Sequence, residues 1–88
     1  MSYSVEYAAD VYKSLKKIDK PMRLLILNWI GKNLEGCENP RQHGKPLVGN
    51  NAGVWRYRVG NYRILADILD DKLIIQVIKI GHRKNIYS

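Results

Sequence analysis

The chain has 88 residues, of which 45% are hydrophobic and 26% charged. This length allows one modest core, so we expect a single domain over residues 1–88. The single cysteine, Cys37, excludes an internal disulfide and fits a reducing compartment. No apolar run approaches the ~20 residues of a membrane span, and the first residues show no secretory signal. We therefore expect a cytoplasmic protein with no membrane partner.

The positive charge is concentrated in the second half of the chain. Fifteen Lys and Arg residues against eight Asp and Glu give a net charge of +7. Residues 1–39 hold six basic and five acidic residues, whereas residues 40–88 hold nine basic and three acidic ones. A localised positive field is typical of proteins that bind a polyanion, either nucleic acid or an acidic protein. The alternative interpretation, a basic surface that serves solubility alone, is disfavoured by this segregation.

A strand and two helices are predicted in the first part of the chain. Residues 3–7 alternate in polarity, which indicates a short strand. Apolar residues recur at a spacing of three or four over residues 8–18, so an amphipathic helix is predicted there. Asp19 and Pro21 then supply a cap residue and an early-helix proline, which predicts a second helix over residues 21–34. The strongly apolar face of this second helix predicts that it is largely buried. That face comprises Met22, Leu25, Ile26, Trp29 and Ile30, with Leu24 and Leu27 widening it.

A long loop and three strands make up the rest. Residues 36–53 contain four glycines and two prolines, which favours a loop, and its length suggests a role beyond connection. Strands are predicted over residues 54–59, 62–69 and 73–80, and the short turns between them imply antiparallel pairing. The order β-α-α-β-β-β predicts an α+β fold, in which an N-terminal strand and a helical hairpin pack on one face of a small antiparallel sheet. The other sheet face is then available for a ligand.

Arginines are concentrated on the predicted strands. Because side chains alternate along a strand, Arg56 and Arg58 share one face and Tyr57 lies on the other. Arg63 opens the next strand and Arg83 follows the last one, so both are predicted to approach the same region and to face solvent. Neighbouring cations repel one another unless an anion lies between them, and guanidinium groups match phosphate oxygens. A phosphate site is therefore favoured over arginines that are merely solvated or paired with carboxylates.

Two further side chains lie near this cluster in the sequence. Tyr87 is interpreted either as an apolar plug at the sheet edge or as a base-stacking platform or proton donor. His82 is a candidate general acid or base, although a histidine in such a place more often orients a neighbour or faces water. His43, in the loop, is expected at the surface.

The chain lacks the motifs of several enzyme classes. It has no Cys/His spacing for zinc, no carboxylate pair for magnesium and no glycine motif for phosphates or dinucleotides, so we expect no metal and no cofactor. A reaction must then use cations, tyrosine and histidine. Cleavage of RNA by its own 2′-hydroxyl fits that inventory, because the substrate supplies the nucleophile and the protein positions it and stabilises negative charge.

Three sequence segments resemble one known family. They are Gly44-Lys45-Pro46-Leu47-Val48-Gly49, then Gly53-Val54-Trp55-Arg56-Tyr57-Arg58-Val59-Gly60-Asn61-Tyr62-Arg63-Ile64, and then Ile80-Gly81-His82-Arg83 with Tyr87. These resemble the RelE branch of the RelE/ParE toxin superfamily, and the order of elements matches a RelE-like fold along the whole chain. The resemblance implies the toxin of a type II toxin–antitoxin system, a ribosome-dependent endoribonuclease (mRNA interferase) that inhibits translation by cutting messenger RNA in the A site. It also implies an acidic RelB-like antitoxin and, for the toxin–antitoxin complex, binding to operator DNA.

The resemblance also implies roles for particular residues. Arg63 and Arg83 match the family's phosphate-stabilising arginines, and Tyr87 matches its C-terminal functional tyrosine. Arg56 and Arg58 fall where other members carry two lysines. An arginine stays protonated at any working pH, so another group must accept the proton, and His82 is the predicted substitute. The predicted catalytic residues are therefore Arg56, Arg58, Arg63, His82, Arg83 and Tyr87, and the predicted RNA-binding residues are Lys45 and Lys84.

Two other functions share parts of this pattern. A ParE-like toxin that inhibits DNA gyrase has the same fold and needs no arginine cluster with a terminal tyrosine, so the cluster favours the nuclease. A plain nucleic-acid-binding module would use the arginines only to hold phosphates.

Overall fold

The computed structural model describes residues 1–49 and 53–86, which form two helices and five strands. The elements are β1 (Ser4–Tyr7), α1 (Ala9–Lys17), α2 (Lys20–Asn33), β2 (Lys45–Pro46), β3 (Val54–Val59), β4 (Tyr62–Leu69) and β5 (Ile74–His82). The strands make one sheet in the order β1-β5-β4-β3-β2. The predicted α+β fold with a helical hairpin against a small sheet is confirmed.

The sheet differs from the predicted one at its two edges. The pairs β2–β3, β3–β4 and β4–β5 are antiparallel, whereas β1 pairs with β5 in parallel. A parallel pair needs a long crossover, and the chain between these two strands provides it. At the other edge, the two-residue strand β2 lies inside the predicted loop and brings Lys45 opposite Arg56.

The two helices are only partly buried. In α1, Val11 and Leu15 face the sheet and are buried. The Asp19 carboxylate caps α2 by accepting a hydrogen bond from the Met22 amide at 3.3 Å. Ile26 and Ile30 of α2 are buried. The prediction that α2 is largely buried is wrong on one side, as Leu24 is 46% and Leu25 54% exposed. Residues one position apart on a helix point about 100° apart, so burying Ile26 turns Leu25 toward solvent.

The hydrophobic core lies between the helices and one face of the sheet. Tyr57 of β3 is fully buried there, and its hydroxyl donates a hydrogen bond to the Pro40 carbonyl at 2.6 Å. This bond fixes part of the long loop against the core. The buried cluster comprises Val11, Leu15, Ile18, Ile26, Ile30, Leu34, Tyr57, Val59, Ile64, Ala66, Ile75, Val77 and Ile80. Residues that alternate with these along the strands lie on the opposite sheet face, which we call the outer face.

A bulge and a buried residue shape the outer face near β5. Leu65 pairs with Lys79 while Ala66 pairs with Val77, so β5 carries one extra residue at this point. Ile86, after the end of β5, is only 2% exposed. A Cβ built on Gly81 would lie 3.0 Å from the Ile86 Cδ1, so Ile86 packs directly over Gly81. None of the described helices is long and apolar enough to cross a bilayer.

Candidate nucleic-acid interface

Three cationic side chains meet on the outer face at the β2–β3 edge. Arg56 and Arg58 alternate with the fully buried Tyr57, so they point away from the helices. Lys45 is the register partner of Arg56 on β2. These three side chains line a cavity of about 280 Å³ together with Gln42, His43 and Gly44 from the loop. None of the described residues that line this cavity is acidic. We call it the cationic cavity.

Arg63 lies beside this cavity but is held differently. Arg58 and Arg63 are direct register partners across β3 and β4, which places their Cβ atoms about 5 Å apart on the outer face. The expectation that Arg63 faces solvent is wrong, because the residue is only 8% exposed. Its Nη1 donates hydrogen bonds to the carbonyl oxygens of Gly60 at 3.2 Å and Tyr62 at 3.1 Å. These carbonyls stabilise the buried charge and fix the guanidinium at the β3–β4 turn.

Arg83 is attached to the same turn through its backbone. The Arg83 amide donates a hydrogen bond to the Asn61 carbonyl at 2.8 Å, and the residue is exposed, as is its neighbour Lys84. The carbonyls of Gly60 and Tyr62 thus accept hydrogen bonds from the Arg63 side chain, and the Asn61 carbonyl accepts one from the Arg83 amide. The structure therefore brings the backbone of Arg83 to the same turn that holds the Arg63 guanidinium.

His82 lies on the other side of the sheet from Arg56 and Arg58. It pairs in register with Tyr62, and the two rings make an edge-to-face contact with centroids 5.5 Å apart. Tyr62 in turn pairs with the buried Val59, which places both rings on the helix-bearing face. The His82 Nδ1 accepts a hydrogen bond from the Lys84 amide at 3.2 Å. The structure therefore does not bring His82 together with the arginines of the cationic cavity.

The histidine at the cationic cavity is His43, which the sequence analysis treated as a surface residue. His43 is exposed, as expected, and lines the cavity with Arg56 and Arg58. Its ring meets the Trp29 ring edge-to-face at 6.3 Å, and Trp29 contacts the buried Tyr57 at 5.8 Å. No sequence pattern marks this placement, because it follows from the pairing of the two-residue strand Lys45–Pro46 with β3, which carries the preceding loop residues to the arginines.

Carboxylates lie outside the cationic cavity. Asp70 forms an ion pair with Arg41 at 2.8 Å and accepts a hydrogen bond from the Tyr3 hydroxyl at 2.6 Å. Asp67 also lies on the outer face, where its register partner on β3 is the uncharged Val54. Arg58 forms no ion pair with a carboxylate of the described residues. Nor do residues 1–49 and 53–86 contain a group of three His, Cys, Asp or Glu side chains that could hold a metal ion. Tyr87, predicted as catalytic, lies outside the described residues.

Comparisons with known proteins place this arrangement in a family. A family model described as the ParE toxin of the type II toxin-antitoxin system parDE matches residues 5–87. Toxin RelG of Mycobacterium tuberculosis is 28% identical over 87 residues, which cover 99% of this chain and 98% of that protein. A putative RelE-like toxin protein of Escherichia coli is 27% identical over 85 residues, which cover 96% of this chain and 86% of that protein.

Solved structures give the same result for the fold. The toxin-antitoxin complex RelBE2 of Mycobacterium tuberculosis contains a chain with a TM-score of 0.85 and 25% identity, and the match covers 97% of this chain and 95% of that one. The archaeal RelE-RelB complex of Pyrococcus horikoshii shares the fold with a TM-score of 0.72 at 24% identity, over 97% of this chain and 99% of that one. Since the family model matches almost the whole chain and the fold agrees with it, this chain belongs to the ParE toxin family and is a RelE-type toxin of the RelE/ParE superfamily of type II toxin–antitoxin systems.

Proposed function

We propose that this toxin is an endoribonuclease that cuts messenger RNA in the ribosomal A site. The observation that carries the proposal is the cationic cavity, where Lys45, Arg56 and Arg58 converge without an acidic residue in the described lining. A guanidinium group binds phosphate oxygens through two parallel hydrogen bonds, which suits an RNA backbone. The relatives named RelG and RelE-like toxin support the nuclease branch of the superfamily.

The chemistry proposed is transesterification by the substrate's own 2′-hydroxyl, with no metal ion. The attacked phosphorus gains a fifth oxygen and the group gains negative charge, which fixed cations stabilise. Arg56 and Arg58 supply positive charge from alternate positions on one face of β3. Arg63 is held in place by the carbonyls of Gly60 and Tyr62. Because these groups are already positioned, little reorganisation accompanies the reaction.

The remaining positive charge suits large RNA and an acidic partner. Positions 40–88 hold nine basic and three acidic residues, and this excess of positive charge favours docking on ribosomal RNA. The ribosome would then align the messenger with the toxin. Arg83 and Lys84, exposed beyond β5, would contact the RNA backbone next to the cut. The RelBE2 and Pyrococcus complexes each contain an antitoxin together with the toxin. We propose that an acidic RelB-like antitoxin neutralises this chain by covering the outer face, and that the complex binds operator DNA.

Inhibition of DNA gyrase is the second candidate, because the matching family model carries the ParE name. The two functions separate in one pair of assays. Purified toxin is incubated with ribosomes programmed with a defined messenger, and cut sites are mapped by primer extension. The same preparation is tested for inhibition of gyrase supercoiling. The nuclease proposal expects cuts within the A-site codon and unchanged supercoiling, whereas an intact messenger with blocked supercoiling would assign the toxin to gyrase.

A further inference from the structure

We propose that His43 is the catalytic base that accepts the proton of the attacking 2′-hydroxyl, an inference that rests on the proposed ribonuclease function. The reaction needs a proton acceptor near the phosphate. Arg56 and Arg58 cannot serve, because a guanidinium group stays protonated at any working pH. Imidazole is the side chain whose protonation changes between pH 5 and 8, which suits general-base catalysis.

The placement of His43 meets the geometric requirement. His43 lines the same 280 Å³ cavity as Arg56 and Arg58, and the residue is exposed, so a substrate in the cavity can reach it. The Trp29 ring, 6.3 Å away and edge-to-face, limits the positions that the imidazole adopts. Trp29 is itself packed against the buried Tyr57, so the histidine is supported from the core.

The loop segment that carries His43 is fixed on both sides, at Pro40 and at Lys45. On one side, the Tyr57 hydroxyl holds the Pro40 carbonyl at 2.6 Å. On the other, Lys45 pairs with Arg56 in the sheet. The backbone of Gly44 lies so close to β3 that a Cβ there would overlap the Arg56 carbonyl oxygen. These contacts fix the backbone on either side of His43 relative to β3, the strand that carries the two arginines.

Among the described residues that line the cavity with His43, the charged ones are cationic. Lys45 approaches from β2, Arg56 and Arg58 approach from β3, and α2 contributes the uncharged Trp29. A bound RNA phosphate brings negative charge into this group of cations. The phosphate therefore balances the positive charge that the ring acquires when it takes the proton. His82 lacks this setting because it lines a different cavity, together with Asp19 and Tyr62.

The proposed step conserves atoms and charge. A ring nitrogen of neutral His43 takes the 2′-hydroxyl proton while the 2′-oxygen forms a bond to phosphorus. The bond from phosphorus to the 5′-oxygen breaks, and its electron pair goes to that oxygen. The 5′-oxygen takes a proton from water, and the hydroxide so formed recovers the proton from His43. The products are a 2′,3′-cyclic phosphate and a 5′-hydroxyl.

The test compares single-turnover cleavage of ribosome-bound messenger by the wild type, His43→Gln, His43→Ala and His82→Gln between pH 6 and 8. All four use the same ribosomes, so effects of pH on the ribosome cancel in the ratios. We expect the cleavage rate of the wild type to rise with pH. The rate of His43→Gln should be lower on the order of 10²-fold and should not rise with pH. We expect His82→Gln to keep both, and added imidazole to restore part of the cleavage by His43→Ala.

The outcomes separate this inference from the proposed function. If the wild type cuts no messenger, the nuclease proposal fails and His43 has no reaction to catalyse. If the wild type cuts and His43→Gln keeps its rate and pH profile, the toxin is a nuclease with another base. Loss of the pH dependence in His82→Gln instead would overturn the assignment in favour of that histidine. Circular dichroism of each variant checks the fold, and imidazole rescue of His43→Ala shows directly that a correctly folded site lacks only its base.

Discussion

Arg58 and Arg63 face each other across β3 and β4, although both are cations. Like charges directly opposite in a sheet destabilise it, so the fold must compensate for one of them. It does so at Arg63, whose guanidinium turns to the carbonyls of Gly60 and Tyr62. Arg58 stays exposed and lines the cationic cavity. Arg63 is therefore bonded to the turn, whereas Arg58 is accessible to a ligand.

Replacing Arg58 is expected to separate activity from stability. Arg58→Ala removes a charge that would stabilise the reacting phosphate, and cleavage should fall by about 10²–10³-fold. The free energy of unfolding should stay within about 0.5 kcal/mol of the wild type or rise, because an exposed like-charge neighbour of Arg63 is removed. Single-turnover kinetics and urea unfolding measure the two effects. A variant that loses activity together with several kcal/mol of stability would make Arg58 a structural residue.

Replacing Arg63 is expected to lower the stability of the fold. Arg63→Ala removes the side-chain hydrogen bonds to the Gly60 and Tyr62 carbonyls and empties a buried position, so the free energy of unfolding should fall by about 1–3 kcal/mol. Arg83→Ala is the matched control for stability, since Arg83 is exposed and its backbone bond to Asn61 survives the change. Urea midpoints for the two variants give the comparison. Equal midpoints would show that the bonds to the turn carbonyls contribute nothing.

Two glycine substitutions test the fixed position of the loop. In Gly44→Ala the new Cβ would overlap the Arg56 carbonyl and lie 2.6 Å from the Trp55 Nε1, so the loop must shift. We expect a loss of about 1–3 kcal/mol in stability and weaker cleavage. Gly31→Ala in α2 has open space around its Cβ and should stabilise the helix by about 0.5–1 kcal/mol without changing activity. Wild-type cleavage by Gly44→Ala would mean that the loop position does not matter.

The contact between the loop and the β4–β5 turn is expected to depend on pH. The hydrogen bonds from Arg41 and Tyr3 lower the pKa of Asp70 from 3.8 to about 2. A carboxylate with a depressed pKa stabilises the fold above its unfolded pKa, and that stability is lost as the pH falls from about 4 to 2. The difference in urea midpoint between the wild type and Asp70→Asn should therefore be present at pH 7 and close toward pH 2. A difference that is constant over this range would exclude the linkage.

The central strands were predictable because the sequence of β3 alternates and a Gly60-Asn61 turn signal precedes β4. The predicted bounds of β3 and β4 agree with the structure, and so does the placement of Arg56 and Arg58 opposite Tyr57. The side-chain period of a strand determines which residues share a face, and the turn signal determines where β4 begins. The predicted start of β5 also lies within one residue of Ile74, where the strand begins.

The features that the sequence did not show depend on contacts between distant segments. The face of His82 is set by its register with Tyr62, which follows from the bulge in β5. The burial of Arg63 depends on carbonyls that only the folded turn presents. His43 reaches the arginines because a strand of two residues pairs beside it, and so short a segment has no recognisable pattern.

The proposed ribonuclease activity depends on the position of Arg56 and Arg58, and not on the net charge. Single-turnover cleavage of ribosome-bound messenger tests it with two charge-matched double variants. Arg56→Ala/Arg58→Ala removes two charges from the cationic cavity, and Lys16→Ala/Lys17→Ala removes two exposed charges from α1. We expect the first variant to lose at least about 10²-fold in cleavage rate, while the second cuts like the wild type. Equal rates for the two variants would contradict it.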